Sequence, residues 1–249
     1  MIVKHAFATH VGCIRTENQD CYADLSHRNV FAIADGMGGH HGGKEASLLA
    51  VKAFSWQADH GPEQTSEFIK QAHQLILRAN VERGRSGQST QQMGTTGVVV
   101  FINPDRGEYT VSWCGDSRLY HWSKTKQKLE QITTDHSVVQ SKLDRGEITP
   151  EQAVNEKKNL LEHAIGVGNS DVRADTRKRR IAEGDILILC TDGISNEVRD
   201  EEIEKIVKRA EAEDQSSRRL AQDLLRAALD GGGSDNATVG ILRTYEETF

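Results

Sequence analysis

Short apolar stretches rich in Val and Ile recur at 30–34, 97–102, 109–114, 118–122, 186–190 and 237–242, most of them bounded by Gly, Asp or Asn. That length and punctuation predict β-strands. Apolar residues fall at helical spacing in four other places. Ala46, Leu49, Ala50 and Ala53 make one face, and Phe68, Ile69, Ala72, Leu75, Ile76 and Ala79 a longer one. Ile203, Ile206, Val207 and Ala210 make a third, and Leu220, Leu224, Leu225 and Ala228 a fourth. Such recurrence predicts a helix with one buried stripe. Consecutive strands with short turns, flanked by helix pairs, predict antiparallel sheet covered by helices, whereas strict alternation would predict a doubly wound parallel sheet. The stretch 137–162 departs from both patterns, being polar, rich in Lys and Glu and interrupted by Pro150. It reads as a short helix plus an excursion, a flap beside a site.

Composition narrows the function classes. A chain of 249 residues can bury a sizeable core as one domain, so a single domain over 1–249 is expected. The formal charge of −6 argues against nucleic-acid binding, which draws on a basic surplus. The basic run Arg177-Lys178-Arg179-Arg180 reads as the solvated face of a strand. Cys13, Cys21, Cys114 and Cys190 show no C-x-x-C spacing, so neither zinc nor a disulfide framework is indicated. No run approaches membrane-spanning length, and the chain reads as cytoplasmic, with no membrane partner.

The informative pattern is where the aspartates fall. Asp35, Asp116 and Asp192 each follow an apolar run, and Asp235-Asn236 precedes another. One acid at a strand end is ordinarily a turn former satisfied by nearby backbone N–H groups. Several brought together would repel one another and would take up protons or recruit cations. Carboxylates without His or Cys select hard cations such as magnesium, manganese or calcium. Gly36 and Gly193 fit that reading, because a residue without Cβ lets a carbonyl or water approach an ion, and the Gly36 carbonyl could itself be a ligand. A P-loop must be weighed on the same stretch, since Gly38 to Lys44 spells G-x-x-x-x-G-K after a strand. Glu45 stands where the magnesium-binding hydroxyl belongs, and a carboxylate there would face the nucleotide's own charge. His41 reads as part of a solvated glycine-rich turn; the role of His40 stays open.

With these residues in view, the chain resembles the PPM (PP2C-like) family of metal-dependent protein serine/threonine phosphatases in its compact bacterial form. The matching pieces run in order: GCIRTENQD (12–20), ADGMGGHHGG (34–43), MGTTGVVV (93–100), CGDSRLY (114–120), TTDHSVV (133–139), GDILILCTDGISNEV (184–198) and GGSDNATVGIL (232–242). The resemblance implies an α+β fold, an αββα sandwich of two antiparallel sheets with helix pairs outside. It implies two manganese or magnesium ions, with a third in bacterial members. Asp35 would bridge the pair, the Gly36 carbonyl would bind one ion, and Asp192 and Asp235 would complete the set. Asp20 would act at the metal shell through water, Asp116 would help hold the third ion, and Asn236 would support. Arg15 corresponds to the phosphate-binding arginine, whose planar fork can hold two phosphate oxygens.

Three departures bear on mechanism. Met37 stands where many eukaryotic members carry a histidine proposed as the acid for the leaving alcohol, so His40, beside the phosphate, or a water held by the metals would serve. NEKKNLLEHAIG lacks the His-Pro-x-Arg that often precedes Asn159, and Gln19 replaces a glutamate found in many relatives. The expected activity is hydrolysis of phosphoserine and phosphothreonine esters on proteins by a metal-activated water. The implied substrates are targets of a Hanks-type kinase, and the expected state is a monomer. A cysteine phosphatase is disfavoured, because no C-x5-R cradle surrounds Cys13. A phosphoprotein-binding module without turnover and an esterase for small phosphate esters are the competing classes.

Overall fold

The computed structural model describes residues 1–38, 42–87, 91–153, 156, 160–168 and 170–246. One sheet runs in the order β1 (Ile2–His10), β11 (Ala237–Tyr245), β10 (Ile186–Cys190), β7 (Arg118–Ser123), β8 (Lys128–Gln131). The other runs β2 (Asp20–Leu25), β3 (Val30–Met37), β5 (Gly97–Asn103), β6 (Glu108–Cys114), β9 (Asp175–Arg180), with the short β4 (Gly94–Thr95) on β3. Every pairing is antiparallel.

The continuous apolar runs have a simple cause, burial on both faces of each sheet. Along β3, Phe31 and Ile33 point between the sheets, while Val30, Ala32 and Ala34 meet helices α1 (Gly42–His60) and α2 (Thr65–Arg85). Along β10, Leu187 and Leu189 point inward, while Ile186, Ile188 and Cys190 meet α6 (Asp200–Ala212) and α7 (Ser217–Gly231). The four helical stripes predicted from spacing are these four helices, and the αββα expectation is borne out. The excursion at 137–162 contributes two short helices, α3 (Val138–Asp144) and α4 (Pro150–Ala153).

Two local readings are corrected. Asp35 does not end its strand, because Gly36 and Met37 go on to pair with Thr95 and Gly94 of β4. The basic run lies on β9, at the edge of its sheet, with Lys178, Arg179 and Arg180 exposed as expected, and Arg177 alone departs from that reading, being half-buried. Arg177 lies over the Trp113 ring at 5.4 Å and donates to the Ile132 carbonyl, whereas Lys178 makes an exposed ion pair with Glu108 at 2.7 Å. Cationic side chains on an edge strand also discourage pairing with another chain.

Candidate functional site

Strand register gathers the acids at one end of the sandwich. Asp20 and Asp35 face each other across β2 and β3. In the other sheet, β10 runs into Thr191, whose N–H donates to the Thr238 carbonyl at 3.0 Å, so Asp192 and Asp235 leave the same end. Asp192 opens a single helical turn, α5 (Asp192–Ser195). Asp20 then joins the sheets: its Oδ2 accepts from the hydroxyls of Thr191 at 2.9 Å and Thr238 at 2.7 Å.

A cleft of about 830 Å³ opens at this end, lined by Arg15, Asp35, Gly36, Asp116, Asp192, Asp235 and Asn236, with Met37 and Leu161 on its walls. Asp20 lies buried just behind it. Of the residues singled out from sequence, His40 lies outside the described residues, as do His41 and Asn159.

The electrostatics are those of crowded carboxylates. Burial, with Asp20, Asp192 and Asp116 nearby, holds the Asp35 carboxyl well above its ordinary range. Burial also pushes Asp116 up to about 8, helped by Asp192 and Asp135. It pushes Asp20 up to about 7 against the stabilising hydroxyls of Thr238 and Thr191. Asp192 is raised by burial and by Asp235, with Asp35 within hydrogen-bonding reach. Such a cluster requires added positive charge, from protons or cations.

Part of that charge comes from Arg15, which donates from Nε and Nη2 to the two oxygens of Asp235 at 2.9 and 2.8 Å. Among the described residues no three His, Cys, Asp or Glu side chains are already drawn into a metal shell. The donor set nevertheless suits a hard cation: Asp20 Oδ1 and Asp192 Oδ1 are buried and without a hydrogen-bond partner, and Asp35 adjoins Asp192. The glycines prove to serve backbone packing. A Cβ on Gly36 would lie 2.0 Å from the Gly43 carbonyl oxygen, and one on Gly193 2.0 Å from that of Asn236.

The supporting residues form a second tier. Thr96 Oγ1 receives the Asp35 N–H at 3.1 Å, and Asn196 Nδ2 donates to Asp192 Oδ2 at 3.0 Å. Asn236 accepts the Gln19 N–H at 2.8 Å and donates to the carbonyls of Val11 at 2.8 Å and Glu17 at 2.9 Å, which fixes the loop carrying Arg15. Thr96, Thr191, Thr238 and Asn196 were not singled out from sequence, although each lies within a motif quoted above; for the last three a hydroxyl or amide within four positions of an acid was the available signal, and Thr96 offered none. Lys44 of the apparent P-loop donates to the Asp20 carbonyl at 3.1 Å, and Glu45 pairs with Arg83, so neither forms a phosphate cradle.

The family model for protein phosphatase 2C matches residues 15–231. The chain belongs to the protein phosphatase 2C family. It is 33% identical over 245 residues to the serine/threonine phosphatase stp of Listeria monocytogenes, covering 94% of this chain and 92% of that one. Its fold is similar to that of the Mycobacterium tuberculosis serine/threonine phosphatase PstP/Ppp, with a TM-score of 0.85 at 29% identity over 99% of this chain and 100% of that one. A PstP catalytic domain solved in complex with two manganese ions is similar with a TM-score of 0.82 at 28% identity, covering 98% of this chain and 99% of that one. No described helix is long and apolar enough to cross a membrane.

Proposed function

We propose that this protein phosphatase 2C family member hydrolyses phosphoserine and phosphothreonine esters on proteins, with manganese or magnesium as its cofactor. The observation that carries the reading is the convergence of Asp35, Asp116, Asp192 and Asp235 with Arg15 on one cleft, fed by both sheets. Asp35, Asp192, Asp235 and the Gly36 carbonyl would hold two ions, with Asp20 behind them and Asp116 at a third. Bound there, the ions supply Lewis acidity that makes water nucleophilic near neutral pH and offset the charge of the phosphate.

The chain's own residues do the rest. Arg15 presents a permanently charged fork to two phosphate oxygens, holds the group in line for attack and stabilises the charge that develops on it. Thr191 and Thr238 hold the Asp20 carboxylate, Asn196 holds that of Asp192 and Thr96 fixes the Asp35 backbone N–H, so the acids need not be organised anew at each turnover. The manganese reported for the related PstP catalytic domain supports the choice of cofactor. Phosphoproteins made by a Hanks-type kinase, met by a monomer acting as one domain, complete the proposal.

Calorimetric titration of the chelator-stripped protein with manganese, followed by phosphate release from a phosphothreonine peptide, tests it. Uptake of about two ions with turnover is expected. Peptide binding without turnover at saturating manganese would instead favour a binding module, and faster release from metabolite phosphates a small-ester hydrolase.

A further inference from the structure

In the motif TTDHSVV the chemistry above draws only on Asp135, yet the histidine beside it occupies a junction. His136 is buried, and its Nδ1 accepts the Gly115 N–H at 3.2 Å while its own N–H donates to the Gly115 carbonyl at 3.0 Å. Gly115 immediately precedes Asp116. That turn has little slack: Gly115 sits at φ +105°, and a Cβ there would meet Thr96 at 2.6 Å. Ser117, on the other side of Asp116, bonds the Thr96 hydroxyl at 2.7 Å.

The same histidine roots the flap. Its carbonyl accepts the Glu162 N–H at 2.8 Å, and the next residues pair with the returning stem, Val138 N–H donating to the Leu160 carbonyl at 2.9 Å and Ser137 bridging Leu161. Leu161 in turn lines the cleft with Asp116. The ring is locked in place, stacked on Trp113 with 6.1 Å between centroids and met edge-on by His163 at 5.7 Å. Because Nδ1 is the acceptor, the proton lies on Nε2, 3.3 Å from Asp175 Oδ2.

We propose that His136 is a positioning residue that couples the flap to Asp116, one imidazole and its peptide group fixing both flap stems and the turn that aims the carboxylate into the cleft. Substrate seated against the flap and a cation held at Asp116 then favour the same arrangement and strengthen each other's binding. This rests on the function proposed above for what Asp116 holds, but the mechanical link does not.

Two substitutions separate the link from general packing. In His136→Phe a ring of similar size remains but the acceptor is lost, whereas in His136→Asn the side-chain oxygen can take the place of Nδ1. Amide exchange in the metal-free protein is expected to speed up at both Gly115 and Glu162 in His136→Phe, by about tenfold or more, and to stay near wild type in His136→Asn. With metal, His136→Phe is expected to lose its weakest manganese site and to raise KM for a phosphothreonine peptide about tenfold, with His136→Asn again near wild type. Should His136→Phe not fold, His136→Gln, whose amide reaches past the Nδ1 position, takes its place. Exchange at Gly115 that rises while Glu162 stays protected, or a fall in melting temperature with manganese sites and KM unchanged, overturns the inference. A wild-type protein that neither binds manganese nor releases phosphate overturns the functional reading alone and leaves the exchange result to stand or fall separately.

Discussion

Arg15 and Asp235, 220 positions apart in sequence, form a bidentate pair with Nε–Oδ1 at 2.9 Å and Nη2–Oδ2 at 2.8 Å. Both side chains are partly solvent-exposed, 53% and 27%, so the pair contributes at most about 1 kcal/mol. A divalent ion at Asp235 or a phosphate at Arg15 can therefore displace it. Arg15→Ala should shift two affinities in opposite directions: KM for a phosphothreonine peptide rises about tenfold or more, while manganese binds the freed, less cationic site severalfold more tightly. Steady-state kinetics and manganese calorimetry on the same preparation check both. Weakened manganese binding would contradict the displacement.

The buried acids make stability depend on pH in an unusual direction. Asp116 is raised by burial from 3.8 to about 8, so in the metal-free protein its contribution is fully present below about pH 4 and is lost as pH rises through about 8. Asp116→Asn, which mimics the protonated group, should flatten that loss and exceed wild type in stability above about pH 8, by up to about 5 kcal/mol. Urea denaturation in chelator across this range is the measurement. Equal slopes for the two proteins would show that Asp116 is not held protonated.

Asn236 makes three hydrogen bonds that tie the Arg15 loop to the start of β11. Asn236→Ala removes these three hydrogen bonds at a buried position, and should cost about 2–4 kcal/mol of stability. A drop in kcat/KM should accompany it, since Arg15 loses its fixed approach. Denaturation midpoints and kinetics report both effects, and a stability loss below about 0.5 kcal/mol would mean that the loop is held by other contacts.

The helices were legible because burial of one face imposes a period on them, and the central strands because burial of both faces makes them continuous apolar runs: Phe31 and Ile33 face one core, Val30, Ala32 and Ala34 the other. Strands β1 and β2 were not singled out, since their exposed and partly buried positions carry Lys4, His5, Tyr22 and Asp24 among the apolar residues. The acids could be read as a group from their places beside apolar runs. Their supports could not, because Asp20 is held by Thr191 and Thr238, whose relevance depends on a register between β10 and β11 that no local pattern encodes. The glycines misled in part: Gly36 and Gly193 are required by neighbouring backbone carbonyls, a constraint visible only once the chain is folded.

The most direct test of the central claim is phosphate release from a phosphothreonine peptide with manganese, compared between wild type and Asp192→Asn. The substitution preserves side-chain size and removes the charge of an acid that lies against Asp35 and has a buried, unpartnered oxygen. Chelator-sensitive turnover is expected in wild type and a loss of about a thousandfold in kcat for the variant, together with weakened manganese binding. Undiminished turnover in Asp192→Asn would contradict it.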